Sequence, residues 1–231
     1  MIKIDFHAHI LPKADHGSDS EETSAVQLSL LKNAGVGTVV ATPHFYPNRH
    51  NIKDFEESID RAIASLSSIS PDNRPQIAVG AEVLICENID KLEHLNELCI
   101  RGTSVMLLEM PMADKWSNSL FKTVSSLIDL GYTVVLAHID RYLPEHEEDI
   151  CFLLDNGAYA QINARSLKKP LTKRRLAAFI QSDRLVAFGS DIHGIDKSAS
   201  KAFTNLKKLD AELQENVNIR SDELLKNAKL Y

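Results

Sequence analysis

The sequence predicts an α/β protein in which parallel strands alternate with outer helices. Two observations lead there. Short apolar runs recur along the chain with helical patterns between them, and reactive side chains fall just past the carboxyl ends of those runs. At 231 residues the chain is long enough for one sizeable core, expected as a single domain over residues 1–231.

The runs suited to buried parallel strands are Ile2–Phe6, Gly37–Ala41, Gln76–Ala81, Ser104–Glu109, Thr133–Ala137, Ala158–Ile162 and Leu185–Gly189. The first helix is expected to open at Ser18, with Glu21 completing a capping box, and to stop at Gly35. Further helices are expected over Lys53–Ile69, Asn88–Leu98, Ser117–Leu130, Pro144–Asn156 and Thr172–Gln181. Two more, Ser198–Leu213 and Ser221–Lys229, close the chain. Seven strands suit either an open doubly wound sheet or a barrel, and periodicity does not choose between them.

Composition narrows the function classes. The net charge of −6 argues against a nucleic-acid partner, which needs a basic stripe to neutralise phosphates. Cys86, Cys99 and Cys151 form no C-x-x-C pair, so reduced thiols are expected rather than a disulfide framework or zinc knuckle. The opening Met-Ile-Lys-Ile-Asp-Phe-His is too short and polar for a signal peptide, and no apolar run reaches the length of a membrane span. A cytoplasmic protein without membrane insertion is expected.

The chemistry lies at the strand ends. His7 and His9 follow the first strand, His44 the second, and Glu82 the third; Glu109 ends the fourth, His138 follows the fifth, and Asp191 with His193 follows the seventh. In parallel α/β folds these ends share the face that carries the active site. Taken alone, His44 or His138 reads as an ordinary hydrogen-bonded histidine, and Glu82 or Glu109 as a paired carboxylate. The spacings His7-x-His9 and Asp191-x-His193 say more, since alternate residues of an extended segment point the same way. Convergence of six strands on one rim is what makes a metal site the stronger reading. Imidazole and carboxylate without thiolate suit Zn²⁺, Mn²⁺ or Fe, and a ligand set this large exceeds what one ion uses, so two or three divalent ions are expected.

The motifs resemble a known family. Asp-Phe-His-Ala-His-Ile-Leu-Pro, Gly17-Ser18 and Ala-Thr-Pro-His are similar to the polymerase and histidinol phosphatase (PHP) superfamily. Most closely they resemble its bacterial tyrosine-protein phosphatase branch of capsule and exopolysaccharide synthesis. Gly-Ala-Glu, Leu-Leu-Glu-Met-Pro, Leu-Ala-His-Ile-Asp-Arg-Tyr, Gln-Ile-Asn and Ser-Asp-Ile-His continue the match in order over essentially the whole chain. The resemblance implies a distorted (β/α)₇ barrel, TIM-like, with three ions, Mn²⁺ favoured. It assigns the first to His7, His9, Glu82 and Asp191, the second to Glu82, Glu109 and His138, and the third to His16, His44 and His193. It further implies direct hydrolysis by a hydroxide bridging two ions. The substrate would be a phosphotyrosine-containing protein such as a bacterial tyrosine kinase tail.

There are departures. Asp15-His16-Gly17 stands where the branch reads Asp-Asp-Gly, leaving His16 as the third-ion ligand and Asp15 as its support or substitute; either is a candidate acid. Arg141 is the expected phosphate-binding residue, its ordinary alternative being a surface pair with Asp140 or Glu145. A second family arginine has no counterpart; Lys197 is nearest, and Asn163 is a further candidate for substrate contact. His50, His94 and His146 are expected to be solvated, and the basic run Lys168–Arg175 to be a solvated face or, less readily, a receiver of acidic peptide. Phe45 and Tyr46 are candidates to line a pocket for an aryl ring, with core packing the alternative. No Cys-x5-Arg signature occurs, so a cysteine-nucleophile phosphatase is excluded. The rival readings are a small-molecule phosphatase for histidinol phosphate or a sugar phosphate, an amidohydrolase-like enzyme, and a non-catalytic metal-stabilised regulator.

Overall fold

A computed structural model describes residues 1–231. Nine strands occur where seven were expected: β1 Ile4–Ala8, β2 Thr38–Ala41, β3 His44–Phe45, β4 Gln76–Val79, β5 Glu82–Leu84, β6 Val105–Glu109, β7 Thr133–Leu136, β8 Tyr159–Asn163 and β9 Leu185–Gly189. All pair in parallel, in two ladders ordered β1-β2-β4 and β3-β5-β6-β7-β8-β9. The excess over seven comes from interruption. Thr42-Pro43 separates β2 from β3, and Gly80-Ala81 separates β4 from β5, yet Ala41↔Val79 and His44↔Glu82 keep one offset. Pro43 brings no N–H to the ladder, so pairing lapses there and resumes one turn of pleat later.

β1 and β9 approach each other beyond their ends: the Asp191 N–H donates to the His7 carbonyl (2.8 Å) and the His9 N–H to the Ile192 carbonyl (3.2 Å). Inside the sheet, Ile4, Phe6, Val40, Ala78, Leu107 and Val135 form one apolar cluster, while Val39, Ile77, Met106 and Val134, one position away, pack outward beneath the helices. This is the period-2 alternation of strands buried on both faces.

The helices are α1 Glu21–Asn33, α2 Ile52–Ser65, α3 Asn118–Asp129, α4 Glu147–Asp155, α5 Pro170–Arg175, α6 Ala177–Gln181, α7 Lys197–Thr204 and α8 Ala211–Leu224. Four expectations need correction. Ser20, not Ser18, caps α1, accepting from the Thr23 N–H (3.1 Å), while the Ser18 hydroxyl pairs with Ser24 (2.7 Å). Asn88–Leu98 holds only two 3-10 turns, each preceded by a left-handed residue, Asn88 and His94, that breaks the helical path. The expected helix over 172–181 is split at Leu176 into α5 and α6.

The last helices fall at 197–204 and 211–224, and the chain beyond α8 ends in an isolated bridge between Leu230 and Ala78. Leu224, Leu225 and Ala228 cover the inner apolar cluster, and Tyr231 exchanges hydrogen bonds with Ile77. The chain end therefore plugs the amino ends of the strands and leaves the carboxyl ends open. No helix is long and apolar enough to cross a membrane.

Candidate metal centre

Strand geometry brings eight of the expected ligands to one place. His7 lies in β1 and His9 just beyond it; His44 opens β3 and pairs in register with Glu82, which opens β5; Glu109 ends β6. His138 and Asp191 follow β7 and β9 in the left-handed backbone region, at φ 33° and 51°. Such a conformation costs a non-glycine residue about 1–3 kcal/mol and persists where the surroundings over-determine it. Here they do: the His138 N–H donates to Gln161 Oε1 (2.7 Å), and the Asp191 N–H is held by the His7 carbonyl.

The side chains converge on Glu82. Its Oε2 lies 3.2 Å from His7 Nε2, 3.2 Å from His9 Nε2 and 2.9 Å from His44 Nδ1, while its Oε1 lies 2.7 Å from His138 Nε2. His7 Nε2 and His9 Nε2 are 3.0 Å apart. Asp191 Oδ1 is 3.6 Å from His9 Nε2 and 3.5 Å from His193 Nδ1, and Glu109 Oε1 is 3.6 Å from His138 Nε2.

Three groups are compact enough to share an ion: His7, His9 and Glu82; His44, Glu82 and Glu109; His9, His44 and His193. The grouping differs in detail from the expected one, since His44 faces Glu82 and Glu109 as well as His193. His16 is exposed at the mouth, its ring 4.9 Å from that of His44 and 4.7 Å from that of His193, and belongs to none of the three groups.

The donor chemistry fits divalent ions. Glu82 Oε2, His44 Nδ1 and His193 Nε2 are buried without a hydrogen bond, although nitrogens ring that oxygen. Unpaired buried polar atoms are costly, and imidazole nitrogens with carboxylate oxygens are what Zn²⁺, Mn²⁺ or Fe accepts. Around them lies a supporting layer. His7 Nδ1 donates to Gln161 Oε1 (3.1 Å) and His9 Nδ1 to Asp15 Oδ2 (2.6 Å), which turns each Nε2 lone pair inward. Asp15 also accepts from the backbone N–H groups of Gly17 (2.8 Å) and His44 (3.1 Å), so both its oxygens are engaged.

Electrostatics follow from this packing. Burial opposes ionisation of Glu82, but the His7 charge, the hydrogen bond from His138 and the close His44 nitrogen hold it well below the usual carboxylate range. Glu109 is pushed up by burial and by the neighbouring Glu82. Burial disfavours charge on His9, yet Asp15 and Glu82 prevail and raise it to about 10; His193 is lowered to about 4 by burial and the His9 charge. Neighbouring groups are thus driven apart in acidity.

Arg141 closes a 3-10 turn after β7. Its Nη1 lies 3.3 Å from His138 Nε2 and its Nη2 3.7 Å from Asp191 Oδ2, so the guanidinium faces the cluster rather than Asp140 or Glu145. Asp140 is buried on the other side, accepting from Asn163 N–H (2.8 Å) and the Ser166 hydroxyl (2.5 Å). Asn163 is not free for substrate: its amide donates to Asp191 Oδ2 (2.8 Å). Lys197 is exposed at the start of α7, and no contact joins it to the cluster.

Gln161 joins the site although strand-end spacing does not single it out. Its place in Gln-Ile-Asn, two before Asn163 on the same face of a strand that is otherwise apolar, was the available signal. Phe45 is buried in the core, whereas the Tyr46 ring stacks on His44 (5.2 Å between centroids) at the mouth. His94 is exposed as expected. His146 is buried instead, its ring stacked 4.0 Å from Trp116 with Nε2 2.7 Å from the Ala113 carbonyl oxygen, because an aromatic neighbour from a distant loop covers it. His50 is half-buried, accepting from the Tyr46 N–H (3.1 Å). The three cysteines are free, and burial pushes Cys99 up to about 12.

Comparison with known proteins adds the lineage. The family described as capsular polysaccharide synthesis, CpsB/CapC, matches residues 3–228. Tyrosine-protein phosphatase CpsB of Streptococcus pneumoniae is 30% identical over 206 residues, covering 84% of each chain. Its counterpart in Streptococcus agalactiae is 27% identical over 207 residues with the same coverage. Among solved structures, one chain from the crystal structures of the metal-dependent tyrosine phosphatases YwqE of Bacillus subtilis and CpsB of S. pneumoniae superposes with TM-score 0.80 at 22% identity, over 99% of this chain and 96% of that one. A TatD-family hydrolase from Entamoeba histolytica follows at TM-score 0.60 and 13% identity, over 97% and 98%. These last two speak to the fold alone.

Proposed function

The chain belongs to the CpsB/CapC family, and on that premise we propose that it is a metal-dependent protein-tyrosine phosphatase of capsule or exopolysaccharide synthesis, acting in the cytoplasm. The observation that carries this reading is the ring of imidazole nitrogens around the unpaired Glu82 Oε2, with the Arg141 guanidinium at its mouth. The fold on this reading is one catalytic domain, a distorted (β/α)₇ barrel whose closing contact is β1 with β9.

Two or three divalent ions, Mn²⁺ first among them, would be held by His7, His9, Glu82, Asp191, Glu109, His138, His44 and His193, with His16 completing the outermost position. Such ions neutralise phosphate charge and lower the pKa of an attacking water. The residues do the rest. Gln161 and Asp15 hold the His7 and His9 rings in one orientation, and Asn163 holds Asp191. Arg141 offers two N–H groups to non-bridging phosphate oxygens and stabilises the charge that builds on them. Tyr46, stacked on His44, offers a flat face to the substrate ring.

The leaving group is a phenolate, whose conjugate acid has a pKa of about 10, so it departs with little protonation. Asp15, held well below the usual carboxylate range by His9, is a positioning residue. His16 at the mouth would deliver a proton through the ring nitrogen that does not hold an ion.

The substrate is a phosphotyrosine-containing protein, for which the tail of a tyrosine kinase is the candidate. Comparison of kcat/KM for a phosphotyrosyl peptide and for histidinol phosphate tests the class. A preference for the peptide is expected; a preference for histidinol phosphate would move the chain to small-molecule chemistry.

A further inference from the structure

The net charge of −6 conceals a strong asymmetry. Residues 164–209 carry eleven Lys and Arg against three acids, Asp183, Asp191 and Asp196, and all three acids are engaged. Asp183 pairs with Arg220 (2.6 Å), Asp191 belongs to the metal centre, and Asp196 caps α7 and pairs with Arg165 (2.5 Å). The cations on the turn and helix after β8 and on the α7 segment are therefore largely uncompensated.

Between those two segments lies a cleft of about 270 Å³, with Lys168, Lys173 and Lys208 on its walls and Leu167, Leu206 and Leu209 on its floor. The three lysines are exposed, and the Lys168 ammonium is anchored on the Ser198 carbonyl (3.1 Å) at the start of α7. Two contacts tie the segments that line the cleft to the metal centre. Asn163 at the end of β8 donates to Asp191, and two residues later Arg165 pairs with Asp196, three residues beyond His193. An apolar floor under ammonium walls suits an aromatic side chain bearing an anion, whereas a lipid surface is met by a protruding patch.

We propose that this cleft is a second binding subsite, which takes a further phosphotyrosine of the same peptide whose first phosphotyrosine occupies the metal centre. The proposal rests on the phosphatase reading. It makes the enzyme selective for tyrosine clusters: one ring sits among Leu167, Leu206 and Leu209 while its phosphate is shared by Lys168, Lys173 and Lys208.

The test is the double variant K173E/K208E, which touches nothing in the metal centre. With a doubly phosphorylated tyrosyl peptide, KM should rise about tenfold with kcat unchanged, the size expected when a few exposed ion pairs are reversed. With para-nitrophenyl phosphate neither constant should move. Unchanged KM for the double phosphopeptide, or a parallel fall in aryl phosphate turnover, overturns the subsite.

Anisotropy of a labelled peptide with two phosphonomethyl-phenylalanines decides the cleft independently of turnover. If the wild type releases no phosphate but K173E/K208E still weakens this peptide, the catalytic reading fails and the subsite stands. If the variant leaves peptide binding intact but abolishes co-sedimentation with phosphatidylglycerol vesicles, the patch serves a lipid surface and the proposal is wrong.

Discussion

Glu82 Oε2 lies 3.2 Å from His9 Nε2, yet that oxygen accepts no hydrogen bond from any neighbour. The two groups face a common centre rather than each other. Glu82→Gln keeps the volume and removes the charge, so it should cost most of the bound metal while leaving the helical content intact. Elemental analysis beside far-ultraviolet circular dichroism checks this; full metal occupancy in the variant would contradict it.

Asp15 reaches the centre through His9 Nδ1, at 2.6 Å, and through the His44 backbone N–H, at 3.1 Å. A residue that orients a ligand in this way typically affects metal affinity or activity by about 10- to 100-fold. Asp15→Asn should weaken metal binding by that order without shifting the acid limb of the rate profile. A shifted limb would make Asp15 itself the proton donor.

Arg141 is half-exposed and makes no contact that the fold depends on, while its guanidinium faces the cluster. Arg141→Lys replaces a planar fork by a point charge. Turnover of a phosphotyrosyl peptide should fall about 100-fold, comparable to losing one transition-state donor. The thermal midpoint should hold. Unimpaired kcat/KM would exclude the residue from phosphate contact.

Gly17 admits no side chain: an added Cβ would stand 2.1 Å from His9 Cβ and 2.7 Å from the His9 carbonyl. Gly17→Ala must push His9 away, at about 1–3 kcal/mol for an overpacked site, and should lose metal as well as stability. Retention of both in a metal-loaded thermal melt would show that the loop yields freely.

His9 supplies a pH signature. Burial works against its charge, but Asp15 and Glu82 raise it from 6.5 to about 10 in the metal-free protein. A raised basic group lends stability that is complete below pH 6.5 and lost as pH climbs to about 10. The chelated protein should therefore lose stability over that window. The metal-loaded protein should gain relative to it, because ions compete with that proton. Calorimetric titration in two buffers of different ionisation enthalpy should show proton release on metal binding; none would mean that His9 is not a ligand.

The eight converging ligands were legible because strand ends and period-2 spacing are local properties. His7, His9, Glu82, Asp191 and the rest each sit at the carboxyl end of a run that reads as a strand. The features that were not legible depend on partners far away in the chain. Gln161 meets His7 from 154 positions off, and Asn163 turns to Asp191 rather than to open space. His146 reads as polar helix surface until Trp116 stacks on it. The interruptions at Pro43 and Gly80 were visible as residues, but their effect on pairing emerges only once neighbouring strands are in place.

The most direct test is elemental analysis of the purified protein, coupled to phosphate release from a phosphotyrosyl peptide before chelation, after it, and after return of Mn²⁺. Bound divalent metal, activity abolished by the chelator and activity restored by the ion are the predicted results. Full release of phosphate from protein stripped of metal would contradict the metal-centred reading.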